Sequence, residues 1–164
     1  VFKDVDFTGA DLSQAKLGHS SMTKVVMERA RVVNADLSDV RVDGTESGSD
    51  SWRFADFSGS QFRGASFEGV DFTLSQFLSA DMGGVTLSGV ALQGADASAA
   101  KLHGAKLTAV NARGLNLAIA DFSRATVSNS DMTLAGRAPT RLPKTSQHPL
   151  PASLRATPCH TRPH

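Results

Sequence analysis

The sequence predicts an all-β solenoid, a chain wound into a stack of short coils. Large apolar residues recur at every fifth position from Phe2 to Met132, and small residues recur two positions before them. A period of five suits neither an α-helix, in which such residues drift around the axis, nor a strand, whose side chains alternate. It suits a chain that turns one corner in every five-residue unit, where glycine tolerates positive φ.

The large apolar positions form a nearly unbroken series. Of 27 such positions, 24 hold a large apolar residue, and these include eight of the nine phenylalanines and all four methionines. We predict that these side chains fill the axis of the solenoid. The predicted axial core contains Phe7, Leu12, Leu37, Phe57, Phe62, Phe67, Phe72, Phe77, Leu87, Leu102, Leu107, Leu117 and Phe122.

The other slots of the unit are equally regular. The small position is Ala, Val, Ser or Thr in all but two of 26 units, the exceptions being Asp50 and Leu115. The polar residue that follows is often Asp, and nine of the thirteen aspartates in residues 1–136 occupy this one slot. Because they follow the repeat, we interpret these carboxylates as structural and solubilising, not as a catalytic pair.

The unit therefore reads Ala-Asp-Leu/Phe-x-x, and it resembles the A(D/N)LXX repeat of the pentapeptide-repeat proteins. The resemblance covers about residues 1–135. It implies a right-handed quadrilateral β-helix with four units per coil, and thus about seven coils in a domain spanning residues 1–136. One coil buries too little apolar surface to be stable alone, so stability must come from stacking.

Residues 43–51 depart furthest from the repeat, and we predict a loop there. Ser47 stands at an axial position and Asp50 at a small one, and Trp52 and Phe54 would cover the resulting gap. An intact but poorly packed coil is the alternative. The acidic residues of this stretch do not match the spacing of a calcium-binding loop.

Residues 137–164 form a second region, predicted to be a disordered tail. It holds all six prolines, five basic residues and no acidic residue, whereas residues 1–136 hold twelve basic and sixteen acidic residues. Such a composition cannot bury a core. The tail is either an interaction arm or a sequence artefact such as a shifted reading frame. Its histidines and Cys159 fit no standard zinc pattern.

No catalytic, metal or cofactor-binding residue is expected, and the chain is interpreted as a non-catalytic structural or protein–protein interaction module. Its protein partner is not identified by the sequence. The resemblance also implies an alternative, a DNA mimic that binds DNA gyrase or another topoisomerase and protects it from quinolones. The candidate interaction stripe for that role is Asp36, Asp56 and Asp96, provided that the 43–51 loop does not shift the faces. A repeat module of a larger effector or secreted protein is a further alternative.

Charge and hydropathy restrict the other partners. No apolar run approaches the length of a membrane span, so membrane insertion is not expected. A net charge of +1 gives no reason to expect direct nucleic-acid binding.

Both ends of the repeat resemble a cut solenoid, which predicts an end-to-end homodimer or a longer native protein. A cytoplasmic location is expected. Val26 and Leu78 are apolar residues at outward positions.

Overall fold

The computed structural model describes residues 1–45 and 50–136, which form a parallel β-solenoid. One face carries seven short strands that pair in chain order as a single parallel sheet. They are β1 (Phe2–Asp6), β2 (Ser21–Val26), β3 (Arg41–Asp43), β4 (Ser66–Glu68), β5 (Thr86–Ser88), β6 (Lys106–Thr108) and β7 (Thr126–Ser128). The described residues contain no helix, so they contain none that could cross a membrane. The predicted all-β solenoid is confirmed.

Isolated parallel bridges join successive coils on the three remaining faces. Most units turn their corner through a residue with left-handed backbone, such as Leu74 (φ 60°), Ser79 (φ 57°) and Gly94 (φ 62°). Glycine adopts this conformation without a steric penalty, whereas Leu and Ser carry some strain there. The corner slot of the repeat is therefore enriched in glycine but does not require it.

One coil contains five residues more than the others. Phe2 pairs with Met22, and Met22 with Val42, which gives coils of twenty residues. Val42, however, pairs with Phe67, so the coil that contains residues 43–51 is 25 residues long. Six coil-to-coil steps therefore separate the seven strands, and the solenoid has about six turns.

Trp52 occupies the axial position that follows this extra unit. The Met27 amide donates to the Ser51 carbonyl oxygen at 2.9 Å, which places Trp52 directly above Met27 in the stack. Ser47 lies outside the described residues. Phe54 does not fill the gap as expected, because its side chain is exposed at a corner and only Trp52 is buried.

Axial side chains fill the interior. All residues of the predicted axial core are buried except Phe7 and Leu12, which are partly buried in the first coil. The end-to-end homodimer expected from an uncovered first coil stays a prediction.

In the middle of the rod six successive aromatic residues occupy the axis, with neighbouring ring centroids 5.2–5.9 Å apart. They are Trp52, Phe57, Phe62, Phe67, Phe72 and Phe77. Each such ring pair adds about 0.5–1.5 kcal/mol to the stability expected from burial alone.

Side chains that follow the extra unit satisfy the backbone of the coil below it. Asp50 Oδ1 accepts a hydrogen bond from the Val25 amide at 2.6 Å, and Asp50 Oδ2 accepts one from the Lys24 amide at 3.3 Å. Trp52 Nε1 donates to the Val25 carbonyl oxygen at 2.9 Å. Asp50 interrupts the pattern of small residues, but its carboxylate accepts hydrogen bonds from two backbone amides of the preceding coil.

Charge on the axis should be far more damaging than charge on the adjacent outward position. Phe67→Asp places an unpaired carboxylate among buried aromatic rings and should unfold the neighbouring coils, with a loss of several kcal/mol. Ser66→Asp lies on the outside beside Arg41 and should be nearly silent. Thermal unfolding monitored by circular dichroism compares the two variants, and equal losses of Tm would contradict the assignment of inside and outside.

Asp50 provides a test in which the repeat consensus and the structure disagree. Asp50→Ala restores the consensus residue, yet it leaves the amides of Lys24 and Val25 without their acceptor. We expect a loss of roughly 1–3 kcal/mol for each unsatisfied amide. Asp50→Asn keeps one oxygen acceptor and should lose about half as much. Denaturant titration measures both, and a stabilised Asp50→Ala variant would show that these bonds contribute nothing.

Candidate functional site

The repeated polar slot serves the backbone. Its side-chain oxygen accepts a hydrogen bond from the amide two residues further on, as Asp56 does from Ser58 at 2.9 Å and Asp71 from Thr73 at 2.8 Å. The same contact is made by Asp6, Asp11, Asp36, Asp81, Asp96, Asp121, Asp131, Asn111 and Asn116. Since Asn makes the contact as well as Asp, the contact depends on an oxygen acceptor and does not require a charge. These contacts show that the polar side chains of this slot support the backbone.

These hydrogen bonds lower the pKa of several carboxyl groups. Side-chain and backbone bonds from Thr8 lower the pKa of Asp6, and backbone and side-chain bonds from Ser38 lower the pKa of Asp36. Burial acts to raise the pKa of Asp96, but bonds from Ser98 and Asn116 outweigh it and the pKa is lowered. These groups are therefore ionised at neutral pH and are not tuned as general acids. Within residues 1–45 and 50–136, no group of three or more His, Cys, Asp or Glu could hold a metal ion.

The extra unit divides the predicted acidic stripe between two faces. Asp56, Gln76 and Asp96 lie in one column of parallel bridges, but Asp36 pairs with Gln61 in the next column. The prediction that Asp36 lines up with Asp56 and Asp96 is therefore wrong. The reason is the 25-residue coil. Across it, residues of one column are 25 positions apart, so residues twenty positions apart lie on neighbouring faces.

Asp56 and Asp96 define one of the four outer faces. We name this the Asp56 face, and its bridge column is Asp11, Arg31, Asp56, Gln76, Asp96 and Asn116. The neighbouring Asp81 face has the column Lys16, Asp36, Gln61, Asp81, Lys101 and Asp121. The Asp71 face has the column Ser51, Asp71, Ala91, Asn111 and Asp131. The fourth, the strand face, carries β1 to β7.

Exposed apolar side chains concentrate around the Asp56 face. Among the described residues six large apolar side chains are exposed, namely Val1, Phe54, Leu74, Leu78, Ile119 and Leu134. Leu78 lies in the turn at the corner with the Asp81 face, between Phe77 and Ala80. Phe54, Leu74 and Leu134 occupy its corner with the Asp71 face, and Ile119 occupies the opposite corner. Five of the six thus lie at the two corners of the Asp56 face. Clustered exposed apolar side chains are typical of interaction surfaces, so this face is the best candidate among the four.

The corner residues Phe54 and Leu74 form an apolar ridge. The guanidinium groups of Arg29 and Arg53 lie over the Phe54 ring, 5.6 and 5.3 Å from its centroid. Leu74 lies one coil further on, and its Cδ2 covers Gly94, where an added Cβ would stand only 2.8 Å away. The glycine therefore leaves room for the Leu74 side chain to rest on the rod.

The charge of the Asp56 face is also distinct. Between Asp56 and Asn116 none of its described positions is basic, and no described residue forms an ion pair with Asp56 or Asp96. On the adjacent faces, Arg53 lies 3.7 Å from Asp71 and Arg63 lies 2.8 Å from Asp81. Arg31 precedes Asp56 in the column, but it pairs with Asp11 at 3.4 Å. The Asp56 face thus combines exposed apolar groups with two carboxylates that form no ion pair among the described residues.

The sequence indicated only part of this surface. It singled out Asp56, Asp96 and Leu78, but it missed the corner residues Leu74, Ile119 and Leu134. The available signal was a large apolar residue in the corner slot, which in other units often holds glycine or a polar residue.

Comparison with known proteins identifies the family. The pentapeptide-repeat family, "Pentapeptide repeats", matches in eight copies over residues 2–41, 53–89 and 100–135. The chain belongs to the pentapeptide-repeat family, whose members are generally structural or interaction modules. No curated protein sequence matches the chain.

Two solved structures resemble the solenoid. One is QnrB1 (R167E, trypsin-treated), described as a plasmid-mediated fluoroquinolone resistance protein, with a TM-score of 0.63 and 17% identity over 82% of this chain and 72% of that one. The other is Rfr23, a pentapeptide-repeat protein from the cyanobacterium Cyanothece 51142, with a TM-score of 0.55 and 16% identity over 68% of this chain and 90% of that one. At such identity the likeness establishes the fold alone.

The lowered pKa values predict that acid destabilises the solenoid. A carboxyl whose pKa is lower in the folded state contributes stability above its unfolded value of 3.8, and that contribution is lost as the pH falls through the folded pKa. Tm should therefore fall below about pH 4. Replacing Asp6, Asp36 and Asp131 together by Asn keeps neutral acceptors but removes the titrating groups. The variant should have a somewhat lower Tm at pH 7 and a smaller fall in acid. Identical acid profiles for the variant and the native chain would contradict the assignment.

Proposed function

We propose that this chain is a non-catalytic protein-interaction module whose partner binds the Asp56 face. The observation that carries the proposal is the position of the exposed apolar side chains, five of six of which border that face. Apolar surface removed from water on binding contributes about 25 cal/mol per Å². Members of the pentapeptide-repeat family are generally structural or interaction modules, which supports the same conclusion.

The rigidity of the face favours binding. Its side chains project from backbone that is hydrogen-bonded to the coils above and below, as in the bonds from Phe57 to Gln76 and from Phe77 to Asp96. A partner therefore meets groups that are already ordered, so the entropic cost of binding on this side is small. The candidate contact residues are Leu74, Gln76 and Leu78, with Asp56 and Asp96 at either side along the rod axis.

The DNA-mimic alternative receives less support from the geometry. A mimic of the phosphate backbone requires regularly spaced negative charge. Arg31 separates Asp11 from Asp56 in one column, and Lys101 separates Asp81 from Asp121 in another. QnrB1 shares the fold with this chain, but at 17% identity its fluoroquinolone-resistance role does not transfer. The cytoplasmic location and the identity of the partner stay predictions.

Site-specific photo-cross-linking in the source cells tests the proposed interface. A photoreactive amino acid at Gln76 reports on the Asp56 face. Positions in the same slot of the repeat, Asn111, Gln61 and Lys106, report on the other three faces. We expect discrete cross-linked species from position 76 and background from the three controls. Cross-links from every face, or from none, would argue against this interface.

A further inference from the structure

The Asp56 face is complementary to itself when two copies of it meet in opposite directions. We propose that the partner of this face is a second copy of the chain, bound face to face with the two rods antiparallel. The proposal rests on the proposed function, because it names the occupant of that same interaction surface.

A twofold axis that crosses the face at right angles to the rod produces this arrangement. Such an axis brings the same patch of both copies together, so each column faces itself in reverse order. The column of the Asp56 face contains, in order, Asp11, Arg31, Asp56, Gln76, Asp96 and Asn116. In the register that opposes all six, the first lies opposite the sixth, the second opposite the fifth, and the third opposite the fourth.

Unlike charges meet in this register. Arg31 lies opposite Asp96 of the second copy, and the symmetry produces this pair twice. Asp56 lies opposite Gln76, whose side-chain amide can donate a hydrogen bond to it. An amide side chain also lies opposite the carboxylate of the outermost row, so no two carboxylates of the column face each other. The order of the six polar side chains therefore complements its own reverse.

Arg31 is available for this contact although it already touches Asp11. Its Nη1 lies 3.4 Å from Asp11 Oδ2, and both side chains are more than half exposed. A guanidinium group carries five N–H donors in a planar fork, so this contact leaves donors for a second carboxylate. Arg31 is also the bridge partner of Asp56, but among the described residues neither Asp56 nor Asp96 forms an ion pair. Association thus gives Asp96 a partner without taking one from Arg31.

The same register brings exposed apolar side chains together at the corner with the Asp71 face. Phe54 and Leu74 occupy successive coils there, and they are 40% and 49% exposed. Because the twofold axis runs between these two coils, Phe54 of each copy lies opposite Leu74 of the other. In the next row Arg29 lies opposite Gly94, which has no side chain to obstruct it.

At the corner with the Asp81 face, larger side chains lie opposite smaller ones. Leu78 lies opposite Ser58, and Val33 lies opposite Ser98. Apolar groups at both corners therefore leave water together with the polar column between them. Burial of such groups supplies the driving force that exposed ion pairs alone do not.

Other registers fit the face less well. A shift by one coil places Asp56 opposite Asp56 in one direction and opposite Asp96 in the other, and such like charges oppose association. A shift by two coils shortens the contact to four coils. It places Arg31 opposite Asp56 in one direction and leaves Arg31 without an opposing carboxylate in the other.

Sedimentation of the purified full-length chain tests the dimer. We expect a monomer–dimer equilibrium, since a contact of six coils is only about 24 Å long. Arg31→Glu or Asp96→Arg alone places like charges opposite each other twice, and each should raise the dissociation constant about tenfold or more. The two substitutions together restore unlike pairs and should recover most of the affinity. Leu74→Ser should weaken the dimer without changing any charge.

Matched controls carry the same charge changes on other faces. They are Lys106→Glu on the strand face and Asp131→Arg on the Asp71 face. Asp131 accepts the same turn hydrogen bond as Asp96, so this control also covers a loss of local stability. Neither control should change the dissociation constant. A monomer even at millimolar concentration, equal effects in the controls, or a double variant as weak as the single ones would overturn the proposal.

Thiol cross-linking tests the register. In a Cys159→Ser background, Gln76→Cys places the two thiols of the dimer one coil apart along the rod, or about 5 Å. Asn116→Cys on the same column places them five coils apart, or about 24 Å. A short bis-maleimide should therefore join two copies at position 76 and not at position 116. Equal yields at both positions, or none at position 76, would contradict the antiparallel contact.

These results can be separated from those that test the proposed function. A photo-cross-link in cells from Gln76 to a different protein, together with a monomeric purified chain, would overturn the dimer and leave the Asp56 face as an interaction surface. Cross-links in cells from every face would instead argue against the proposed function, whereas the dimer is measured on the purified chain alone.

Discussion

The structure depends on the backbone hydrogen bonds that tie each coil to the next. The amide of an axial residue donates to a carbonyl one coil further along, as from Phe57 to Gln76 at 2.7 Å and from Phe77 to Asp96 at 2.6 Å. These bonds set the spacing of the coils and therefore stack the axial rings in contact. They also set the direction of every outward side chain. The polar slot supports the same framework by accepting the amide two residues away.

The inside of the solenoid could be predicted from the sequence, whereas the alignment of its faces could not. A period of five determines which side chains enter the axis, because only one residue per unit is large and apolar. The period does not tell whether a given unit stays in the stack. Ser47 and Trp52 are both in phase with the repeat in the sequence, and Trp52 is the residue that the structure places on the axis above Met27. The alignment of Asp36 with Asp56 failed for this reason alone.

The interaction surface depends on that alignment. Leu74, Leu78 and Ile119 are scattered single residues in the sequence, and isolated exposed apolar residues carry little meaning. They become one surface only when the columns are known. Asp50 shows the same dependence. It interrupts the consensus, yet in three dimensions it is the acceptor for two amides of the preceding coil.

The excluded unit also has a geometric consequence for the whole rod. A solenoid with four units per coil changes by a quarter turn when one unit joins or leaves the stack. The first three coils and the later ones each keep their own patterns, but the two halves of the surface meet in a new combination. Entry of five more residues into the stack would therefore turn every later face by one quarter relative to the first coils, whereas residues that stay outside the stack leave the pairing of the faces unchanged.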